Sequence, residues 1–147
     1  MKIIPLKESL AFNISRTSTL LRRHLVRTLS DYNITPEQWQ IIVMLWQSDN
    51  PISQKEITVS LLKDKHAVSR MIKKMVKNGW VEKLSKKGDS RITLIKLTEK
   101  GLNTAEEMYV KLATSVRNKI FNHFSKAEKD QVKSFMIRLG DLLEAIE

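Results

Sequence analysis

The chain has 147 residues, 41% of them hydrophobic, and a formal net charge of +10, which together suit one globular domain with a buried core. It contains no cysteine, which excludes disulfides, thiolate nucleophiles, thiol redox sensing and cysteine-based metal sites. No apolar run approaches the roughly 18 residues of a membrane span, and the apolar part of the start is too short for a signal peptide. We therefore expect a cytoplasmic protein, and four glycines and three prolines are few enough to favour helices.

The positive charge is concentrated in one segment of the chain. Residues Leu62 to Lys100 contain 12 lysines and arginines but 4 aspartates and glutamates, a net charge of +8, whereas the rest of the chain carries only +2. A basic segment within an otherwise nearly balanced protein is typical of a surface that faces a polyanion such as DNA. Charge alone leaves a solvated, lysine-rich face equally open.

Hydrophobic spacing and capping residues predict six helices, with one hairpin between the fourth and the fifth. In chain order, we predict helices over Leu6–Leu29, from Pro36 to just before Asp49, from the Ser53 cap to about Leu62, from the Asp64 cap to about Asn78, from the Thr98 cap to Ile120, and from the Ser125 cap to Ile146. Trp80–Leu84 and Arg91–Leu97 favour two strands around a turn that contains Gly88. A short helix, a tight turn, a second helix and a basic hairpin together predict a winged helix-turn-helix.

The fourth predicted helix has one apolar face and one cationic face. On a helical wheel, the inward stripe is Val68, Met71, Ile72 and Met75, and the opposite face is His66, Arg70, Lys73 and Lys77, with Ser69 beside it. We expect this helix to enter a major groove, where Arg70 can bond two guanine acceptors while Lys73 and Lys77 meet phosphates. An ordinary amphipathic surface helix is the alternative that this pattern leaves open.

The predicted hairpin turn projects three cations, Lys86, Lys87 and Arg91, from a narrow support. Arg91 suits a minor groove, whose negative potential attracts an inserted arginine. Asp89 stands two residues away, and we expect it to hold the Arg91 guanidinium through a charge-assisted hydrogen bond. A solvated loop in which the aspartate merely shapes the turn is the alternative.

Six short stretches of the chain form a recognisable series: Ile34–Trp39, Ser53–Ile57, Ala67–Arg70, Lys77–Lys83, Asp89–Arg91 and Leu97–Gly101. In this order and spacing they resemble the MarR family of bacterial transcription regulators. The resemblance implies a homodimer interlocked by the first and the last two helices, with the Ser69–Arg70 region in the major groove and Arg91, supported by Asp89, in the minor groove. It also implies that a small, often phenolic or acidic, ligand can lower DNA affinity. The turn Leu61–Asp64 departs from the family, which often has glycine there.

Together, these patterns give eleven candidate DNA-binding residues: Ser53, Lys65, His66, Ser69, Arg70, Lys73, Lys77, Lys86, Lys87, Asp89 and Arg91. The expected fold class is mainly α with a small β-hairpin wing. We expect one domain over residues 1–147, with a winged helix-turn-helix DNA-binding lobe at 34–100 and helical dimerisation regions at 1–30 and 101–147. The expected function is that of a transcriptional regulator, a ligand-responsive repressor that binds a near-palindromic double-stranded operator as a homodimer.

The last predicted helix supports a dimer on its own pattern. It carries apolar residues at positions 132, 135, 136, 139, 142, 143 and 146. A terminal helix this apolar must be buried against something. We expect a second copy of the chain to cover it, and packing within one chain is the alternative.

A ligand pocket is predicted from the first two helices. Arg16, Arg23 and His24, with Arg22 beside them, and Trp39 and Trp46 could line an apolar, cationic cleft for a small aromatic or acidic ligand. The alternative is that the tryptophans belong to the core and the arginines to the surface.

An enzyme is the first rival class of function. The histidines His24, His66 and His123 have no HExxH spacing, and the sequence has no glycine-rich phosphate loop and no GxSxG elbow. We therefore expect no enzymatic activity, no cofactor and no metal, although His24 and His123 could bind a metal ion if the fold brought them together. The second rival class is a sequence-tolerant nucleoid-type protein or a winged-helix protein-interaction module, which has no preferred DNA sequence.

Overall fold

Local capping and apolar spacing produce six α-helices in the computed structural model, which describes residues 3–86 and 88–146, with residue 90 by its backbone only. The helices are α1 (Leu10–Leu29), α2 (Pro36–Trp46), α3 (Gln54–Ser60), α4 (Lys65–Lys77), α5 (Glu99–Leu112) and α6 (Lys126–Glu144). Three strands, β1 (Ile52–Ser53), β2 (Val81–Lys86) and β3 (Asp89–Leu97), form an antiparallel sheet in the order β1-β3-β2. Over these described residues, no helix has both the length and the hydropathy that crossing a membrane requires. The predicted mainly helical fold with a β-hairpin wing is confirmed.

The chain divides into two compact units, Met1–Tyr109 and Val110–Glu147. The core of the first unit lies where α2, α3 and α4 meet the sheet, and its buried side chains include Ile41, Ile42, Ile57, Val68, Ile72, Met75 and Ile95. Three of these, Val68, Ile72 and Met75, belong to the predicted inward stripe of α4, whose fourth member, Met71, is half-buried. Burying an aliphatic side chain of this size contributes about 1.5–3 kcal/mol, so the stripe determines which face of α4 points outward.

The helix starts follow the predicted caps. In the capping boxes at Thr35, Ser53 and Ser125, each hydroxyl accepts the backbone N–H three residues further on at 3.2 Å, and the side chain there accepts from the N–H of the cap. The Asp64 carboxylate and the Thr98 hydroxyl each accept one N–H, at 2.9 and 3.0 Å, at the starts of α4 and α5. A cap of this kind typically contributes about 1 kcal/mol, and it sets the first residue of the helix.

Helices α3 and α4 end in the same hydrogen-bond pattern, a Schellman motif. After α3, the N–H of Leu62 donates to the carbonyl of Val59 at 3.1 Å, and the N–H of Lys63 donates to the carbonyl of Thr58 at 3.4 Å. The motif needs one residue with left-handed backbone, and φ is 50° at Leu62 and 74° at Gly79. Glycine adopts this conformation without strain, whereas leucine does not. The turn Leu61–Asp64 therefore keeps the usual geometry of a glycine turn although it contains no glycine.

The first helix begins at Leu10 and not at Leu6 as predicted. Ser9 caps it, and Leu6–Glu8 forms a separate 3₁₀ turn. The side-chain amide of Asn13 donates to the carbonyls of Lys7 and Ser9 at 2.8 and 2.9 Å. Such side-chain bonds offer the backbone an alternative to the helix ladder, which is why apolar spacing alone placed the start too early.

The fifth helix is shorter than the prediction, which extended it to Ile120. The α-helix ends at Leu112 and continues as a π-helix over Ala113–Asn118, followed by a 3₁₀ turn at Phe121–His123. The hydroxyl of Thr114 donates to the carbonyl of Val110 at 3.0 Å. A side-chain hydroxyl that donates to the carbonyl four residues earlier weakens the regular α-helical hydrogen bonds. The spacing of apolar residues gives no sign of this effect.

Strand β1 was not predicted. It has only two residues, and it exists because Ile52 and Ser53 pair with Ile95 and Leu94 of β3. A strand this short has no periodicity of its own, so its position depends on a pairing more than 40 residues away along the chain.

Candidate nucleic-acid interface

The outward side of α4 carries the side chains that the helical wheel predicts. Exposed on this helix are Lys65, His66, Arg70, Lys73 and Lys77, and Ser69 is half-buried. We call these six residues the α4 face. Because the opposite side of the helix is packed into the core, a rigid element holds the α4 face in place. Helical positions three and four apart lie about 5–6 Å from each other, so the cations form a row.

A carboxylate fixes the first turn of α4. Asp64 Oδ1 accepts the N–H of Ala67 at 2.9 Å. This hydrogen bond is the main reason that the pKa of Asp64 lies below its ordinary value, and the charge of Arg70 lowers it further. Asp64 is therefore ionised at neutral pH, where a negative charge at a helix N-terminus complements the helix dipole.

Ser53 lies at the start of α3 and not on α4. Its hydroxyl and its N–H both donate to Glu56 Oε2, at 2.5 and 2.8 Å, so the capping box already uses both donors. These two hydrogen bonds are the main reason that the pKa of Glu56 is lowered, and the charge of Lys86 contributes. Because Ser53 pairs with Leu94 of β3, the start of α3 lies at the sheet from which the wing extends.

The wing is regular at its base and irregular near its tip. Strand β2 pairs with β3 in continuous register from Val81–Leu97 to Ser85–Thr93, and the register then shifts so that Lys86 pairs with Asp89. The shift leaves Arg91 outside the regular ladder. Lys86, Asp89 and Arg91 are all exposed, whereas Lys87 lies outside the described residues.

The contact between Asp89 and Arg91 differs from the one predicted. Of the hydrogen bonds described for this turn, the one that joins the two residues runs from the backbone N–H of Arg91 to Asp89 Oδ1, at 3.0 Å. Aspartate commonly accepts an N–H two residues on in a turn. Asp89 therefore shapes the backbone that presents Arg91, and the guanidinium remains exposed with the rest of the side chain.

The five predicted ligand-pocket residues differ in exposure. Arg16 and Arg23 are exposed on α1, whereas His24 and Trp39 are half-buried. Trp46 packs edge-on against Tyr109, with ring centroids 5.5 Å apart. Of the five, Trp46 borders a surface cavity of about 330 Å³ whose other lining residues include Leu45, Pro51, Leu97, Leu102, Asp49 and Glu99. The lining of this cavity contains two carboxylates, Asp49 and Glu99, and one cation, Lys96, but none of the predicted arginines.

Arg22, which the sequence grouped with the pocket cations, forms an ion pair with Glu37 on α2. Arg22 Nη1 lies 2.6 Å from Glu37 Oε1. Burial raises the pKa of Glu37. Three other effects together lower this pKa below its ordinary value: the hydrogen bond and charge of Arg22, a hydrogen bond to the backbone of Glu37 itself, and the charge of Lys63. The pair therefore joins α1 to the first turn of α2, and the Arg22 side chain stays 55% exposed.

Two residues that the sequence did not select contact the end of α4. The hydroxyl of Thr98 and the ammonium group of Lys100 donate to the carbonyls of Gly79 and Asn78. Thr98 carried a capping signal, but nothing in the local sequence connects it to a carbonyl 19 residues earlier. For metals, the part of the chain that the structure describes holds no group of three or more histidines and carboxylates placed to bind an ion.

Comparison with known proteins identifies the family. The MarR family model matches residues 34–93. The multiple antibiotic resistance protein MarR of Escherichia coli (strain K12) is 30% identical over 108 residues, which cover 74% of this chain and 72% of that protein. The transcriptional regulator PecS of Dickeya dadantii is 24% identical over 128 residues, or 86% of this chain and 76% of that protein.

Solved structures give the same fold. AbsC, a MarR family transcriptional regulator from Streptomyces coelicolor, superposes with a TM-score of 0.88 at 19% identity and covers 99% of both chains. The transcriptional repressor CouR bound to a 23-mer DNA duplex gives 0.85 at 20% identity, over 95% of this chain and 98% of that one. MarR family members are transcription regulators and not enzymes. The chain therefore belongs to the MarR family of winged helix-turn-helix, DNA-binding transcription regulators.

Proposed function

We propose that this protein is a homodimeric repressor that binds a near-palindromic DNA operator in the cytoplasm and releases it in response to a small ligand. The observation that carries the proposal is the α4 face: a row of exposed cations on a helix whose other side is fixed in the core. The fold neighbour CouR is a transcriptional repressor bound to a DNA duplex, which supports the same role for this chain.

The proposed contacts divide into base reading and positioning. Arg70 meets a guanine in the major groove, because its planar fork can donate to two acceptors at once. Lys73 and Lys77 meet phosphates, as do Lys65 and Lys86. Lys87, His66, Ser69 and Ser53 complete the proposed set around them.

The wing supplies the second proposed contact. The Arg91 side chain enters the minor groove, where a narrow groove attracts an arginine. Asp89 supports this contact indirectly, since its carboxylate holds the backbone N–H of Arg91. The exposed position of Arg91 outside the regular β ladder supports this assignment.

We propose that residues 34–100 form the DNA-binding lobe and that 1–30 and 101–147 form the dimer interface. The support comes from α6, none of whose residues is buried in the single chain. Its large apolar side chains remain open to solvent: Val132, Phe135, Met136, Ile137, Leu142 and Leu143 are 43–65% exposed. A second copy would cover this surface, and a twofold dimer would present two α4 helices about 34–36 Å apart, one turn of DNA.

The ligand is proposed to be a small aromatic or acidic molecule bound near Arg16, Arg23, His24, Trp39 and Trp46. Arg16 and Arg23 are exposed, so their guanidinium groups are accessible to an acidic ligand. A solved fold neighbour, CouR, is bound to p-coumaroyl-CoA, which supports ligand binding in a protein of this fold.

A footprint on the DNA upstream of the protein's own gene tests the proposed function. With excess competitor DNA present, we expect two protected half-sites separated by one helical turn. Arg70→Ala and Arg91→Ala should each weaken binding to that site by about 1–3 kcal/mol, whereas Lys126→Met, which removes a cation paired with Asp130 on α6, should not. Uniform protection along any duplex would instead identify a DNA-coating protein, and unchanged affinity in both arginine variants would contradict the proposed contacts.

A further inference from the structure

The chain just after α4 is held by the residues that open α5. Three consecutive backbone carbonyls, those of Asn78, Gly79 and Trp80, each accept a hydrogen bond from this segment. Lys100 Nζ donates to the carbonyl of Asn78 at 2.8 Å. The Thr98 hydroxyl donates to that of Gly79 at 2.5 Å, and the Thr98 N–H donates to that of Trp80 at 3.1 Å. The carbonyl of the C-cap residue Asn78 has no partner within the helix, and those of Gly79 and Trp80 lie just beyond its end, so the three bonds tie the exit of α4 to the start of α5.

Gly101 brings the start of α5 into direct backbone contact with Trp80, three residues beyond the end of α4. A Cβ atom built on Gly101 would lie 1.9 Å from the carbonyl oxygen of Trp80 and 2.9 Å from its carbonyl carbon. Only glycine fits at this position, and the Gly101 N–H donates to the Thr98 hydroxyl at 3.0 Å. The same hydroxyl therefore caps α5 and donates to the carbonyl of Gly79, just beyond the end of α4. We call residues 98–101 the latch.

The charges at this junction favour the contact. The C-terminus of a helix carries partial negative charge and the N-terminus partial positive charge. The latch places the N-terminus of α5 and the ammonium group of Lys100 against the C-terminus of α4. The hydrogen bonds and the helix dipoles therefore act in the same direction, and both restrain the end of α4 opposite its Asp64 cap.

We propose that the latch sets the orientation of α4, and that Thr98 and Lys100 are positioning residues for sequence-specific DNA binding that do not contact DNA themselves. The inward stripe of α4 determines which face points outward, but base reading requires a side chain to be placed within about 0.5 Å and 10–20°. The stripe leaves tilt and rotation about the helix end to be fixed by other contacts, and the latch supplies them. This inference rests on the proposed function.

The test compares matched pairs of variants. Thr98→Val and Lys100→Met remove the two side-chain contacts of the latch. Thr19→Val removes a threonine hydroxyl that, among the described contacts, donates only to the carbonyl of Ser15 within α1, and Lys126→Met removes a lysine that pairs only with Asp130 among those contacts. Affinities are measured for the tightest duplex recovered from a random-sequence library and for a scrambled duplex of equal length, over a series of salt concentrations.

We expect each latch variant to bind the selected duplex about 3- to 10-fold more weakly, the range that loss of one hydrogen bond gives. Binding to the scrambled duplex and the slope of affinity against salt should stay at the wild-type values, because no phosphate contact is lost. Thr98→Ser and Lys100→Arg should restore the selected binding, and both control variants should match the wild type.

A phosphate contact by Lys100 would give a different result. Lys100→Met would then weaken both duplexes equally and reduce the salt slope by about 0.9, which would overturn the assignment of Lys100 as a positioning residue. Wild-type binding to the selected duplex by Thr98→Val would overturn the assignment of Thr98.

Hydrogen exchange of the DNA-free protein tests the latch independently of the proposed function. Peptides that cover Lys74–Trp80 should take up deuterium faster in the latch variants than in the two controls. Unchanged uptake would overturn the latch whatever the DNA result. If the wild type shows no preference between the duplexes, the proposed function fails, and the exchange data still decide whether the latch restrains the end of α4.

Discussion

The left-handed backbone of Leu62 leads to a prediction about stability. At most helical and extended positions, glycine is less stable than alanine by roughly 0.5–1 kcal/mol, because it loses more backbone freedom on folding. At φ 50° a side chain with a Cβ pays roughly 1–2 kcal/mol of steric strain that glycine avoids. The strain exceeds the entropy, so we expect Leu62→Gly to be more stable than Leu62→Ala by about 0.5–1 kcal/mol.

Comparing glycine with alanine at one position isolates the contribution of backbone conformation to the free energy of unfolding. Both variants lose the leucine side chain, which is 73% exposed in the native chain, so that loss cancels in the comparison. Val59 is the matched control, because it is 64% exposed and lies in regular helix three residues earlier. There we expect the ordinary order, with Val59→Gly less stable than Val59→Ala by about 1 kcal/mol.

Urea unfolding of the four variants measures both differences. With a denaturant slope of about 2 kcal/mol/M, the midpoint of Leu62→Gly should exceed that of Leu62→Ala by about 0.3–0.5 M. All samples need one protomer concentration, since association shifts apparent stability. If glycine were the less stable residue at position 62 as well as at 59, the strain assigned to Leu62 would be refuted.

Two further predictions follow from the ion pair on α2 and from the surface of α6. Because the pKa of Glu37 is lowered, its ion pair with Arg22 stabilises the fold above the unfolded-state pKa of Glu37, and this contribution is lost as pH falls below about 4.5. In thermal unfolding, the wild type should therefore lose more stability than Glu37→Gln between pH 6 and pH 3. An equal loss in both proteins would contradict the pairing. Leu142→Lys places a charge on the exposed apolar surface of α6 and should shift the protein from dimer to monomer at micromolar concentration in light scattering, whereas Lys133→Gln should not; an unaffected dimer in Leu142→Lys would exclude this surface from the interface.

Local signals made most of the first unit predictable. The bounds of α4 follow from the Asp64 cap at one end and Gly79 at the other, and its buried stripe follows from residue spacing alone. The three predicted capping boxes are confirmed for the same reason, since each uses groups only three residues apart. The cationic side of α4, which we propose faces DNA, is thus visible in the sequence because one helix carries all of it.

Features that depend on contacts between distant segments were missed. Strand β1 requires β3, and the latch joins Thr98 to Gly79 across the whole wing. The Asp89 contact was misassigned because spacing places the carboxylate near Arg91 but does not distinguish its N–H from its guanidinium. The strain at Leu62 could be suspected from the absence of glycine, but only the backbone angles show that the turn kept its geometry.

We propose that the α4 face and Arg91 together read a particular DNA sequence. The most direct measurement is the ratio of affinities for the selected duplex and a scrambled duplex at physiological salt, for the wild type and for the Arg70→Ala, Arg91→Ala double variant. We predict a ratio of at least about 10³ for the wild type, falling by tenfold or more in the double variant. A wild-type ratio near one, or a ratio that the double substitution leaves unchanged, would contradict this account of how the protein recognises DNA.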